Sequence, residues 1–193
     1  APHPKPDPPR PRAPAPALGD RPFNSPADTV AGADLVVICT PIGSYADIAA
    51  AIAPALAPGT IVSDVGSVKQ AVIRDLGPAM PEGVHLVPAH PIAGTEHSGP
   101  EAGFAELFEG RWGGLTPPPG ADEAAVEKVA ELWRRCGSLV EIMEPAHHDM
   151  VLAITSHLPH LIAYTLVGTA TDLEESLQRE VIKFSASGFR DFT

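Results

Sequence analysis

"DLVVICTP", Asp34 to Pro41, is the stretch whose reading decides the fold. Leu35, Val36, Val37, Ile38 and Cys39 form an unbroken apolar run of strand length, and Pro41 ends it. A run without alternation predicts a strand buried on both faces, as in a parallel sheet. Residues 44–59 follow at helical spacing: Ser44 is a plausible N-cap, Ile48, Ile52 and Leu56 recur on one face, and Pro58-Gly59 stops the helix. Outward from there the pattern repeats. Strands are predicted at 60–64, 84–89, 111–117 and 139–143, and helices at 67–77, near Phe104 to Phe108, and at 121–137. Strand alternating with helix signifies a doubly wound α/β sheet. From residue 144 the strands stop. One long helix or two, with a kink at Pro159, then a helix over 173–186, make residues 144–193 all-helical. A helical part attached to an α/β part predicts a ligand cleft between them.

Composition bounds the function. The 193 residues are 44% hydrophobic, enough for a core, and carry a formal net charge of −11. That charge argues against nucleic acid and anionic membrane surfaces as partners. No run of about 18 consecutive apolar residues offers a membrane span. Residues 1–22 are proline-rich, lack an apolar signal region, and read as a disordered or polyproline-like arm, with an SH3-type ligand as the functional alternative. Cys39 and Cys136 show no CxxC spacing, Cys39 is expected to be packed in its strand, and a reducing, cytoplasmic setting follows.

Ligands of open α/β sheets bind beyond the carboxyl ends of the strands. Thr40, Ser67 and His90 end or follow three predicted parallel strands, so they are expected on one rim. Gly66-Ser67 opens a helix; Ser67 is either an anion-binding group at a helix N-terminus or a plain N-cap. His90 is either a functional histidine or one that bonds the loop backbone, and Glu96 either orients it or is solvated. His157 and His160 lie three apart on one helix face, suited to a metal or to polar contact with a substrate. No HExxH or other ligand-spaced cluster accompanies them, so no metal is expected. His147 and His148 are expected to be exposed near the first turn of that helix. No GxSxG elbow is present.

Several segments coincide with one family. "DLVVICTP", "VSDVGSVKQAV", "VPAHPIAGTEHSGPEAG", "LTPPPG", "ITSHLPHLIAY" and "SASGFRDFT", in this order, resemble the prephenate/arogenate (cyclohexadienyl) dehydrogenases of tyrosine biosynthesis. The match covers about residues 30–193, and HPIAGTE together with SHLPH is its specific combination. The resemblance implies a Rossmann-like NAD(P) domain followed by a helical dimerisation domain. It implies hydride transfer to NAD(P) with loss of the ring carboxylate of prephenate or arogenate, in a cytoplasmic homodimer. By the same resemblance, His90 takes the hydroxyl proton, a task a neutral histidine suits near pH 7. Ser67 lies near the nicotinamide and the hydroxyl. Thr95 and Glu96 line the substrate pocket, Ser156, His157 and His160 contribute from the helical side, and Thr40 and Pro41 pass close to the cofactor.

The sequence also departs from the family. It contains no GxGxxG turn and no following acidic or basic residue to choose between NAD and NADP. The family's arginine for the substrate side-chain carboxylate does not follow the FRDFT segment. The expected organisation is an arm over 1–22, a partial Rossmann-like domain over 23–143 lacking its first βαβ unit, and the start of a helical domain over 144–193. On this reading the chain is the middle of an enzyme, weakly active or inactive by itself, behind a misassembled start. The alternatives are a substrate-binding or regulatory remnant and another two-domain hydroxy-acid dehydrogenase.

Overall fold

A computed structural model describes residues 21–94 and 103–190. The predicted proline-rich arm lies almost wholly outside them. A short helix α1 (Pro26–Val30), capped by Ser25 Oγ accepting from Asp28 N at 3.3 Å, precedes the strands. It was not predicted, because one turn carries too little periodicity. Strand β1 (Leu35–Ile38) leads through a 3₁₀ turn (Ile42–Ser44) into α2 (Tyr45–Ile52). Ser44 stands at the N-cap position without capping; its hydroxyl turns back to the Pro41 carbonyl oxygen at 2.7 Å. Strand β2 (Ile61–Asp64), helix α3 (Lys69–Leu76) and strand β3 (His85–Leu86) follow.

Strands β1, β2 and β3 form a parallel sheet in that order, Leu35 opposite Ile61 and Ile61 opposite His85. All four residues of β2 are buried. Its alternate side chains enter different cores, as the pleat requires. Val62 packs with Ile38, Tyr45, Ile52, Val72 and Leu76 beneath α2 and α3. Ile61 packs with Val87, Ala89, Leu115, Val129 and Trp133 beneath α4 (Glu123–Arg135). Helices on both faces of a parallel sheet make the doubly wound architecture.

The third predicted strand is two. Pro88 has no N–H to continue the ladder, and the chain resumes as β4 (Ala89–Pro91) in a second sheet. There β4 pairs antiparallel with β5 (Trp112–Leu115), which pairs parallel with β6 (Leu139–Ile142). The short helix expected near Phe104 to Phe108 does not form; residues 105–110 are turns. Cys39 is exposed rather than packed, because it lies beyond the end of β1.

The helical part runs from α5 (Pro145–Leu152) through a π turn (Ala153–His157) into α6 (Leu158–Thr171). Leu158 N bonds Ala153 O, five residues back. The π turn stands immediately before Pro159, where a proline ring would otherwise clash with the preceding turn. Helices α7 (Glu175–Lys183) and α8 (Ser187–Arg190) complete it. The continuous run Pro145–Thr171 has a mean hydropathy of 1.5 in its most apolar window, long and apolar enough to cross a membrane by length and composition alone. It is not an uninterrupted apolar run, because Thr, Ser, His and Gly break it without bringing many charges.

Candidate active site

His90 is held by the backbone of its neighbour. Ala89 N donates to Asp64 Oδ1 at 3.1 Å, and Ala89 O accepts from Lys69 Nζ at 2.6 Å. Lys69 Nζ also meets Asp64 Oδ2 at 2.7 Å, with both side chains fully buried. Asp64 Oδ2 accepts further from Gly66 N at 2.7 Å and the Tyr45 hydroxyl at 3.3 Å. A buried ion pair persists only when its remaining donors and acceptors are satisfied, and these bonds satisfy them. Burial lowers the Lys69 pKa, and the Asp64 carboxylate opposes that shift. The network ties β2, α3 and β4 together and so fixes the strand that carries His90.

The start of α3 differs from both readings of Ser67. The N-cap position is Val68, with no side-chain bond of its own. The free N–H groups of Lys69 and Gln70 instead donate to Asp149 Oδ1 at 2.7 Å and Oδ2 at 2.9 Å. A carboxylate from α5 therefore fills the place where a helix N-terminus would attract a ligand anion. Ser67 is neither the cap nor, with the turn filled, part of an open anion site.

His148 corrects a further expectation. His147 is exposed, but His148 is fully buried. Pro145, His148 and Leu152 form the buried face of α5, at a spacing of three and four. His148 Nδ1 lies 3.0 Å from Asp149 Oδ1, and its Nε2 lies 3.0 Å from His90 Nδ1. The two imidazoles meet edge to face, 5.1 Å between centroids. Gly114 makes the room: a Cβ there would stand 3.2 Å from His148 Cδ2. The glycine at position 114 of β5 thus has a local cause.

A cavity of about 930 Å³ opens in front of His90. Ser67 and Arg111 line it from the α/β part, and Ser156, His157 and His160 from the helical part. The π turn carries Ser156 and His157, and α6 carries His160. His90 is pushed down to about 4, by burial first and then by the facing His148, Lys69 and His157, with Asp149 opposing. It is neutral near pH 7 and able to accept a proton. Thr40 and Pro41 do not line this cavity; Thr40 Oγ1 lies 2.9 Å from Ser44 Oγ beyond β1. The cavity therefore joins Ser67 to His90 without Thr40, although Thr40 follows β1 where that strand ends beside β2, Ile38 opposite Asp64. Thr95 and Glu96 lie outside the described residues. Sequence reading missed Asp64, Lys69, Arg111 and Asp149, whose roles depend on partners up to 80 positions away.

A parallel sheet clothed on both faces, joined to a helical part across a histidine-lined cavity, is a two-part architecture of an α/β unit followed by a helical one. Comparison with known proteins narrows this. The family model described as "Prephenate dehydrogenase, nucleotide-binding domain" matches residues 12–142, and "Prephenate dehydrogenase, dimerization domain" matches residues 144–193. The chain belongs to the prephenate dehydrogenase family. The cyclohexadienyl dehydrogenase of Zymomonas mobilis is 44% identical over 176 residues, which cover 91% of this chain and 60% of that protein. The prephenate dehydrogenase of Bacillus subtilis is 38% identical over 69% of this chain and 36% of its own length. The crystal structure of prephenate dehydrogenase from Aquifex aeolicus in complex with hydroxyphenyl propionate and NAD+ is 35% identical with a TM-score of 0.73, covering 82% of this chain and 55% of that one. The chain thus spans about half the length of the relatives it matches.

Proposed function

We propose that this site oxidatively decarboxylates prephenate or arogenate in tyrosine biosynthesis, passing a hydride to NAD+ or NADP+. The observation that carries the reading is His90: neutral, half-buried, and facing a cavity lined from both parts of the chain. The family match and the Zymomonas, Bacillus and Aquifex relatives support it.

The cofactor supplies the hydride acceptor when bound. The residues present suit only its nicotinamide end. The parallel strands β1 and β2 finish side by side at Thr40-Pro41 and Gly66-Ser67. A Cβ on Gly66 would come within 2.9 Å of Asp64 Oδ2 and Ile42 Cγ1, so glycine lets the chain pass close to both side chains there. No GxGxxG turn for a pyrophosphate occurs in the 193 residues. His90 takes the substrate hydroxyl proton, and Ser67 orients that hydroxyl from the α3 side. Ser156, His157 and His160 contact the substrate from the helical side. The division at about residue 143, homodimerisation through the helical part and a cytoplasmic setting belong to the same proposal. The free thiols of Cys39 and Cys136 agree with that setting.

The test is NAD(P)H formation, followed by absorbance, with prephenate and with arogenate. Turnover of either supports the proposal. Binding of hydroxyphenyl propionate with no cofactor reduction favours a binding module instead.

A further inference from the structure

We propose that Asp149 and His148 form a relay that holds His90 with its proton on Nδ1 and its Nε2 bare, and that the same Asp149 carboxylate sets the start of α3 behind Ser67. Both are positioning residues. The catalytic consequence rests on the function proposed above; the tautomer itself is a property of the fold.

The argument starts at the carboxylate. Burial works to raise the Asp149 pKa, but the donors from Gln70, His148 and Lys69 together bring it below its ordinary value. An ionised carboxylate can only accept hydrogen bonds. His148 Nδ1, 3.0 Å from Asp149 Oδ1, must therefore carry a proton. Burial lowers the proton affinity of His148 despite Asp149, and Lys69 and His157 lower it further. A neutral His148 with its proton on Nδ1 has a bare Nε2. That atom lies 3.0 Å from His90 Nδ1, so His90 Nδ1 must be the donor. The reverse order would set a lone pair of His148 against a carboxylate oxygen, acceptor against acceptor.

The consequence for chemistry is direct. Among the described residues no partner reaches His90 Nε2, and His90 lines the cavity. A proton taken from a substrate hydroxyl would bind at Nε2 while the Nδ1–H bond to His148 stays intact. The new positive charge would then sit in line with Asp149 and be stabilised by it. The cationic groups that oppose this are Lys69 from α3 and Arg111 beside β5, together with any charge on His157 of the π turn. Asp149 also links this relay to the second candidate group. It caps α3 through Lys69 N and Gln70 N, two and three residues beyond Ser67. One side chain of the helical part thus orients two groups presented by the α/β part.

Ring ¹⁵N NMR of the ¹⁵N-histidine-labelled chain near pH 7 tests the relay without cofactor or turnover. The expected result is His90 with a protonated Nδ1 and an unprotonated Nε2, favoured on the order of ten to one over the other tautomer. His148→Phe keeps the bulk but removes the acceptor, and should bring the two tautomers to comparable populations. His148→Gln offers a donor and an acceptor at similar spacing, and should restore the Nδ1–H form. A wild-type His90 protonated on Nε2, or a tautomer ratio indifferent to His148→Phe, overturns the relay. If His148→Phe does not fold, the wild-type spectrum still decides. The Nδ1–H form in a chain that turns over neither substrate would sink the proposed function and leave the relay standing.

Discussion

In the α/β part, Val62, Val72, Leu76, Leu115 and Val129 are fully enclosed, and β2 is buried along its whole length. In α6 no residue is buried, and Leu161 and Tyr164 are 62% and 75% exposed. The first region owns a core and stands on it. The second leaves an apolar face open, as a dimerisation segment would, and contacts the first through polar groups: Asp149 on the α3 amides and His148 on His90. The buried Asp64–Lys69 pair holds the backbone that carries His90, and the helical part meets the His90 ring through His148.

Three perturbations sharpen the contrast. The largest effect belongs to the buried ion pair. Lys69→Met leaves the Asp64 carboxylate buried and uncompensated, which costs about 3–5 kcal/mol and should appear as a large drop in Tm. An unchanged Tm would mean the network does not hold β4. Next comes a matched pair of truncations. Leu115→Ala, in the enclosed core, should cost about 2–5 kcal/mol in urea unfolding, whereas Leu161→Ala on the open face should stay within about 0.5 kcal/mol for the monomer. Equal effects would erase the distinction between the two regions. The last perturbation is the pH dependence of stability. His90 titrates at about 4 in the folded chain against an ordinary 6.5. Between those values the unfolded chain binds more protons, so stability is complete above about pH 6.5 and declines as the pH falls toward 4. His90→Asn should flatten that decline in the urea midpoint; a slope unaltered by the substitution would assign it to other groups.

How much of this was legible follows from the range of the interactions. β1, β2, α4 and β6 could be read because local periodicity and burial agree there: Leu35 to Ile38 is an unbroken apolar run, and Val126, Val129, Ala130 and Trp133 recur at helical spacing. His157 and His160 also kept their predicted relation, since three residues apart on a helix means one face whatever surrounds it. The break at Pro88 was visible as a proline but not as a change of sheet, because pairing with β5 is non-local. Asp149 and His148 were hidden for a stronger reason. Their partners, Lys69 and His90, lie 80 and 58 positions away, and a polar side chain at the start of a helix ordinarily points to water.

The proposed function requires one cavity completed by both regions. The most direct test compares steady-state oxidation of prephenate, at saturating NAD+, by the wild type, His90→Asn and His157→Ala. The account predicts that His90→Asn lowers kcat by about 10²–10⁴-fold. His157→Ala should mainly raise KM, because it removes contact to the substrate from the helical side. A His90→Asn protein that turns over at the wild-type rate, or a His157→Ala protein with unchanged KM and kcat, would contradict it.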